Sequence, residues 1–220
     1  MIKAYFLPGM AADRRLYSKM TIEGVEPVFI DWPHPGQAKT LTDYAHVLVD
    51  RFITPQEPHV LVGSSMGGMM AVELAHLTSP LHTYLLSAPA TRREFPQLLN
   101  RLRASRVHKV LGPKTVFRIN RLADVFMGFK TEEDRALFYE MLEGYGPEFL
   151  HFAVNAVLEW DRQEPPAAYT QILGSEDKLF PPKRAEAQAH VIEGGGHFAT
   201  FEYPDELSAL LNHAFSELRP

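Results

Sequence analysis

The sequence predicts an α/β fold: a mostly parallel sheet of six strands with helices on both faces and an all-helical insertion. Short apolar runs alternate with helical periodicities up to about residue 90, and the alternation resumes at about residue 168. Between these points only helical patterns occur. Strands that alternate with helices form right-handed βαβ units, which build a parallel sheet.

Two strands and a helix are predicted before residue 53. The apolar run at residues 2–7 stops at Pro8-Gly9, and a second run at 28–30 is closed by another Pro-Gly turn. Thr40, with Asp43 three residues later, predicts the N-cap of an amphipathic helix. The apolar face of this helix recurs at helical spacing: Leu41, Tyr44, Ala45, Leu48, Val49 and Phe52.

The clearest motif lies at residues 59–70, where a short apolar strand runs into a sharp turn and a predicted helix. Gly63-Ser64-Ser65-Met66-Gly67 matches G-x-S-x-G, the nucleophile elbow, with Ser65 at the apex. The glycines on either side let neighbouring backbone pass without a Cβ clash. Ser64 does not fit, because Val62 stands two residues before it. The alternative is a chance match, but the flanking strand and helix favour the elbow.

Strands at residues 84–86, 171–173 and 190–192 and a closing helix at 207–218 complete the predicted core. The predicted domains are an α/β core at residues 1–90 and 168–220 and a helical cap, or lid, at residues 91–167. Turn residues divide the cap into about four helical segments. These turns are Gly112-Pro113, Gly128 with Thr131, and Gly144 to Pro147. Thr131 with Asp134 resembles a capping box.

The charge of the cap is uneven. Between Arg92 and Arg121 basic residues far outnumber the single acid Glu94, whereas residues 124–164 are strongly acidic. Charge runs are usually solvated faces, so the favoured interpretation is that the two halves pair across helix faces. The alternative is that Arg92 and Arg93, just past a strand end, meet an anionic substrate. The sequence alone leaves both open.

A serine nucleophile needs a base that removes its proton and a third group that holds the base. His197 follows three glycines after the last strand, and Asp177 lies in the loop after the preceding strand. Glu176 is a rival acid, but Asp177 is favoured by its spacing of four residues to Pro181. The carboxyl ends of parallel strands lie along one edge, so Ser65, Asp177 and His197 are expected to converge there.

Three segments together resemble the α/β-hydrolase family with a helical cap: residues 63–67, 174–177 (Gly-Ser-Glu-Asp) and 195–198 (Gly-Gly-His-Phe). The resemblance implies the strand order 2-1-3-4-5-6, without the two leading strands of larger members. It also implies an oxyanion hole made by two backbone N–H groups, those of Met66 and Met10. Pro8-Gly9 stands where many relatives carry His-Gly.

The resemblance implies a serine hydrolase that acts by acyl transfer, with Ser65 as nucleophile, His197 as base, Asp177 orienting the base, and no cofactor. A small-molecule carboxylic ester is the expected substrate, with a thioester or the C–C bond of a diketone as alternatives. A ligand-sensing protein on the same fold is the alternative from another class. The candidate substrate-binding residues are Gly9, Arg92, Arg93 and Phe198.

Composition excludes other classes of function. The 220 residues contain no cysteine, which excludes disulfides and thiolate metal sites, and no metal-binding motif is visible. The formal charge of −5 does not suggest nucleic-acid binding. No apolar run approaches membrane-spanning length and the N-terminus lacks signal-peptide character, so a cytoplasmic location is expected. The oligomeric state is left open.

Overall fold

The computed structural model describes residues 1–120, 127 and 129–218. Its centre is a six-stranded sheet in the order β2-β1-β3-β4-β5-β6, in which every neighbouring pair is parallel. The strands are β1 Lys3–Leu7, β2 Glu26–Phe29, β3 His59–Ser64, β4 His82–Leu86, β5 Tyr169–Gly174 and β6 His190–Ile192. The predicted fold class, strand count and strand order are confirmed.

The helices of the described residues lie between the strands and after the last strand. They are α1 Leu41–Phe52, α2 Met66–Thr78, α3 Gln97–Ser105, α4 Val107–Val110, α5 Pro113–Asn120, α6 Glu132–Glu159, α7 Ala199–Glu202 and α8 Pro204–Glu217. Short 3₁₀ turns lie at Arg14–Tyr17, Arg92–Glu94 and Pro182–Arg184. Helices α3 to α6 all fall between β4 and β5, and residues 91–167 are called the cap region below. Its exact boundaries stay a prediction.

Successive strand residues point to opposite sides of the sheet, and each side is covered by an apolar cluster of its own. Tyr5 and Leu61 belong to an apolar cluster that includes residues of α1 and α2. Phe6 and Val62 belong to a second cluster that includes Leu211 and other residues of α8. The long helix α6 contributes to both clusters, so the cap region is anchored on the core by shared apolar contacts.

Local sequence signals account for several helix boundaries. Thr40 and Asp43 form a full capping box at the start of α1, with distances of 3.0 and 3.1 Å between side-chain oxygen and backbone nitrogen. Thr131 accepts from Asp134 N, but the Asp134 carboxylate binds Lys19 instead of completing the second box.

The turn residues predicted inside the cap region have different outcomes. Gly112-Pro113 stands at the start of α5, and Gly144 to Pro147 marks a break within α6, where Gly146 (φ 75°, ψ 169°) is not helical and two helices meet at a kink. Gly128 lies outside the described residues. None of the helices in the described part of the chain is both long and apolar enough to span a bilayer.

Candidate active site

The turn between β3 and α2 holds Ser65 in a strained backbone conformation, with φ 53° and ψ −117°. The two motif glycines make this turn possible. A Cβ on Gly63 would lie 2.2 Å from the Gly67 carbonyl oxygen, and one on Gly67 would lie 2.2 Å from the Leu7 carbonyl oxygen. Real Cβ atoms do not approach backbone atoms this closely, so β1, β3 and α2 can pack together here only because glycine has no Cβ. The turn therefore places Ser65 directly beyond the carboxyl end of β3.

Ser65, His197 and Asp177 form a continuous chain of hydrogen bonds. Ser65 Oγ lies 2.9 Å from His197 Nε2, and His197 Nδ1 lies 2.9 Å from Asp177 Oδ2. His197 and Asp177 are buried, whereas Ser65 is partly exposed. A carboxylate can only accept, so Nδ1 carries the ring proton and Nε2 of the neutral ring accepts from the serine hydroxyl. The structure thus brings together the three residues that the sequence analysis places at one edge.

The Asp177 carboxylate is held from two directions. Its Oδ1 accepts backbone N–H bonds from Leu179 at 2.7 Å and Phe180 at 2.9 Å, while Oδ2 faces His197. Burial would raise the pKa of Asp177, but the positive charge that His197 carries when protonated and these hydrogen bonds outweigh it and lower the pKa below its ordinary value. Asp177 is therefore ionised near neutral pH. Glu176, the rival acid, is exposed and is not brought to His197.

The loops that carry the acid and the base interlock through their backbones. Glu176 N donates to the Gly195 carbonyl at 2.9 Å, and Ser175 N donates to the Ile192 carbonyl at 3.0 Å. A Cβ on Gly174 would lie 2.2 Å from the Gly195 carbonyl oxygen, so glycine is required here as well. The glycine-rich sequence before His197 therefore serves close loop packing.

The two N–H groups predicted for the oxyanion hole lie beside Ser65. Met66 is the first residue of α2, where backbone N–H groups lack partners within the helix. Met10 follows Gly9, whose ideal Cβ position is 3.6 Å from Ser65 Cβ. Within the described residues, neither the Met66 N–H nor the Met10 N–H donates to another protein group. Both remain available to an oxygen bound at Ser65, and their role as oxyanion donors stays a prediction.

A cavity of about 190 Å³ opens beside Ser65 and is lined by the core and the cap region together. Core residues in its wall include Gly9, Met10, Ala11, Ala12, Leu16, Met66, Met69, Leu179, Phe180 and Phe198. The cap region contributes Leu99, Met127, Phe138, Leu142 and Val157. Apart from Ser64, Ser65 and His197, the lining residues are apolar or glycine, and none carries a formal charge. The cavity thus suits an uncharged, apolar group next to the serine.

Two of the four candidate substrate-binding residues lie in this wall and two do not. Gly9 and Phe198 line the cavity. Arg92 is buried, donates to the Leu158 carbonyl at 3.3 Å and to Asn100 at 2.8 Å, and lies outside the lining. Arg93 is exposed and pairs with Glu186 at 2.8 Å. The structure therefore does not bring the arginine pair to Ser65.

The favoured interpretation of the uneven cap charge agrees with the ion pairs found. Arg103 pairs with Asp161 at 3.1 Å, and Lys109 pairs with Glu159 at 3.3 Å. Both pairs join the basic half of the cap region to its acidic half. In the described residues, no group of three or more acidic or histidine side chains is arranged to hold a metal ion.

The sequence analysis missed most residues of the cavity wall. Leu142 and Val157 sit on α6, where helical periodicity marks them as apolar but does not say which cavity they face. Phe180 lies in the loop after Asp177, and its ring centroid is 5.8 Å from that of His197. The only sequence signal for Phe180 was its position in this loop, two residues after the charged pair Asp177-Lys178.

Comparison with known proteins agrees with this architecture. The model of the alpha/beta hydrolase family matches residues 4–210. Similar solved structures include a thermophilic esterase from Thermogutta terrifontis, with 18% identity, a TM-score of 0.72, and coverage of 99% of this chain and 90% of that one. A hydrolase from Oleispira antarctica has 16% identity, a TM-score of 0.74, and coverage of 99% and 92%.

A type II thioesterase from the yersiniabactin pathway, YbtT, is also similar, with 16% identity, a TM-score of 0.64, and coverage of 98% and 93%. No protein with a curated description matches the sequence. Identities this low show the fold alone, whereas the family match spans nearly the whole chain. The chain belongs to the alpha/beta hydrolase family.

Proposed function

We propose that this protein is a serine hydrolase that cleaves small, uncharged carboxylic esters with an apolar acyl group. The observation that carries the proposal is the chain of 2.9 Å contacts from Ser65 through His197 to Asp177, opening on an uncharged cavity. In this proposal residues 91–167 act as a cap that shapes the cavity.

The chemistry follows from which atoms can accept a proton. Asp177 is ionised and holds the Nδ1–H tautomer of His197, so Nε2 takes the proton as Ser65 Oγ attacks the ester carbonyl. The Met66 and Met10 N–H groups stabilise the oxyanion that forms. His197 then protonates the departing alcohol oxygen, and water repeats the sequence on the acyl-enzyme, which releases the acid and regenerates Ser65.

A thioester offers the same carbonyl to Ser65 and remains an alternative substrate, as does the C–C bond of a diketone. The similarity to both an esterase and a thioesterase does not rank them, because it extends to the fold alone. A ligand-sensing role is the alternative outside catalysis. Turnover separates these possibilities.

The test combines covalent labelling with a panel of substrates. A fluorophosphonate should label Ser65, and p-nitrophenyl esters of graded chain length should be hydrolysed faster than the matched thioesters. Ser65→Ala should lower kcat by about 10³- to 10⁶-fold and abolish labelling. Ser64→Ala is the matched control, because it removes the neighbouring hydroxyl and should keep most of the activity.

Labelling of Ser64, or equal losses in both variants, would contradict the assignment of the nucleophile. A folded protein that binds esters without turning them over would favour the ligand-sensing role instead.

A further inference from the structure

Trp32 is a buried residue in the loop after β2 whose indole N–H points at the turn beside Ser65. Its Nε1 donates to the Gly9 carbonyl oxygen at 3.0 Å. The same oxygen accepts from Ala12 N at 3.2 Å, which closes the turn Gly9-Met10-Ala11-Ala12. Gly9 is the residue before Met10, so the indole binds the peptide group whose N–H is the proposed second oxyanion donor.

The orientation of the Gly9 carbonyl determines the orientation of the Met10 N–H, because both belong to the same peptide group. A trans peptide is planar, and its C=O and N–H point in opposite directions. With the Gly9 oxygen held toward Trp32, the Met10 N–H points away from Trp32. Gly9 adjoins Ser65, and Met10 lines the cavity that opens beside it. Any rotation of the Gly9–Met10 peptide would therefore reorient the Met10 N–H.

The turn needs an outside restraint because its own backbone is unfavourable. Ala11 has φ 62°, a left-handed conformation that residues other than glycine, asparagine and aspartate rarely adopt. A positive φ at the third residue is the feature of a type II turn, which normally has glycine there. The Ala12 hydrogen bond is internal to the turn and moves with it. Trp32 is the contact that ties the Gly9 oxygen to the rest of the core.

Trp32 is itself fixed by its neighbours. The Tyr44 ring lies against the indole with centroids 5.8 Å apart, and Trp32 N donates to Tyr145 Oη of α6 at 3.3 Å. Tyr44 Oη donates to the Pro33 carbonyl at 2.5 Å. Because the indole ring and the backbone of its loop are both held in place, the indole N–H can keep the Gly9 oxygen in one position.

We propose that Trp32 is a positioning residue for the oxyanion hole, which fixes the Met10 N–H through the Gly9 carbonyl. This inference rests on the proposed function. It does not make Trp32 a catalytic residue, since Trp32 is not among the residues that line the cavity and acts only through the Gly9 peptide group. A purely structural role would leave the kinetics of each correctly folded molecule unchanged.

Trp32→Phe keeps an aromatic ring and removes the N–H. We expect kcat to fall roughly 10- to 100-fold, less than the full loss of an oxyanion donor, because the Ala12 bond keeps the turn closed. KM should change by less than about threefold, since the substrate carbonyl carries little charge in the ground state. The affinity for a trifluoromethyl ketone, which forms a tetrahedral adduct with serine, should fall by the same factor as kcat/KM.

Trp160→Phe is the matched control. It makes the same chemical change at a second buried tryptophan, whose indole N–H donates to Glu73 and not to Gly9, and kcat should stay within about twofold of wild type. All rates are normalised to the fraction of protein that fluorophosphonate labels at completion, so that misfolded molecules are not counted. If Trp32→Phe folds poorly, 3-benzothienylalanine at position 32 keeps the shape without the N–H and should show the same loss. 7-Azatryptophan keeps the N–H and should restore activity.

A wild-type kcat per labelled site in Trp32→Phe or in the benzothienyl variant would overturn the proposal, as would an equal loss in Trp160→Phe. In either case the proposed function would stand. Failure of the proposed function gives a different result, in which the wild-type protein neither labels at Ser65 nor hydrolyses any ester.

Discussion

The sheet edge that holds Ser65 and the cap region above it are positioned by different kinds of contact. At the edge the backbone itself is in contact, and a Cβ on Gly63 would lie 2.2 Å from the Gly67 carbonyl oxygen. In the cap region the contacts are made by side chains. Apolar residues of α6 pack on the core, and solvent-accessible ion pairs such as Lys109–Glu159 join its helices.

This difference predicts two kinds of mutational effect. The close backbone contacts at the sheet edge leave no room for an added side chain, and they fix the positions of the catalytic atoms for every substrate. Exposed ion pairs contribute about 0–1 kcal/mol each, and an apolar wall tolerates changes of shape at modest cost. Changes at the edge should therefore lower the rate for every substrate, whereas changes in the cap region should alter which substrate is preferred.

The largest effect should come from Asp177→Asn at the sheet edge. An amide has no net charge and cannot hold the Nδ1–H tautomer of His197 as a carboxylate does. We expect kcat to fall about 10³- to 10⁴-fold, and by a similar factor for every ester in a chain-length panel. Steady-state kinetics on the panel, with circular dichroism to check folding, measures this directly.

Glu176→Gln is the matched control, because it makes the same chemical change in the neighbouring residue. Glu176 is exposed and lies away from His197, so most of the activity should remain. A greater loss in Glu176→Gln than in Asp177→Asn would mean that the acid has been wrongly assigned. A loss that depended on chain length would show that the edge also selects substrates.

The residues at the sheet edge could be proposed from sequence because each requires an unusual local backbone. Ser65 needs a strand–turn–helix elbow with flanking glycines, and His197 needs a glycine-rich turn, so both leave short motifs. The parallel sheet then explains their meeting, because its strand ends share one edge. Trp32 leaves no such motif. It acts on Gly9 across 23 residues, and a buried tryptophan after a strand is ordinarily a core residue.

A smaller and selective effect should come from the cavity wall of the cap region. Val157 lies in this wall and is partly exposed, so Val157→Phe should fill the cavity without displacing the core. We expect kcat/KM for an octanoate ester to fall roughly 10- to 100-fold relative to that for an acetate ester. The measurement is the ratio of the two kcat/KM values in wild type and variant.

Val110→Phe provides the matched substitution in the same region, because Val110 is 81% exposed and lies outside the cavity wall. Its ratio should equal that of wild type. Equal losses for both esters in Val157→Phe would instead mean that the cap region supports the chemistry itself. The identity of the wall residues was not accessible from sequence, because it depends on how α6 crosses the core and on the kink at Gly146.

The two ends of the cap region are joined to the core through buried carboxylates of opposite character. Glu73 of α2 accepts from Arg162 at 2.7 and 3.1 Å, and from Trp160 at 2.8 Å. Among the described residues, the Glu94 carboxylate, at the other end, accepts from three uncharged donors: Ala90 N, Gln171 Nε2 and Glu186 N. In this part of the chain one carboxylate thus has a cationic partner, and the other has none.

Both carboxyl groups are buried, but the pKa of Glu73 is lowered and the pKa of Glu94 is raised. Burial would raise the pKa of Glu73, yet the hydrogen bonds from Arg162, Thr42 and Trp160 lower it below its ordinary value. Burial raises the pKa of Glu94, and the nearby Glu186 charge adds to this, so the N–H donors only partly offset it. The stabilising effect of ionised Glu73 is therefore lost as pH falls through its lowered pKa. That of protonated Glu94 is lost as pH rises through its raised pKa.

The smallest effects on activity, and effects on stability with opposite pH dependences, should come from Glu73→Gln and Glu94→Gln. Each variant should lower the free energy of unfolding by about 1 to 3 kcal/mol, because a glutamine amide cannot accept all the bonds of the carboxylate. For Glu73→Gln the difference from wild type should shrink as pH falls from about 4.3, the pKa of an unfolded glutamate, toward the lowered pKa of folded Glu73. For Glu94→Gln it should grow as pH falls from the raised pKa of folded Glu94 toward about 4.3, because wild-type Glu94 becomes protonated. Urea unfolding followed by circular dichroism at several pH values measures both slopes, and equal slopes would show that the cation at Arg162 does not distinguish the two ends.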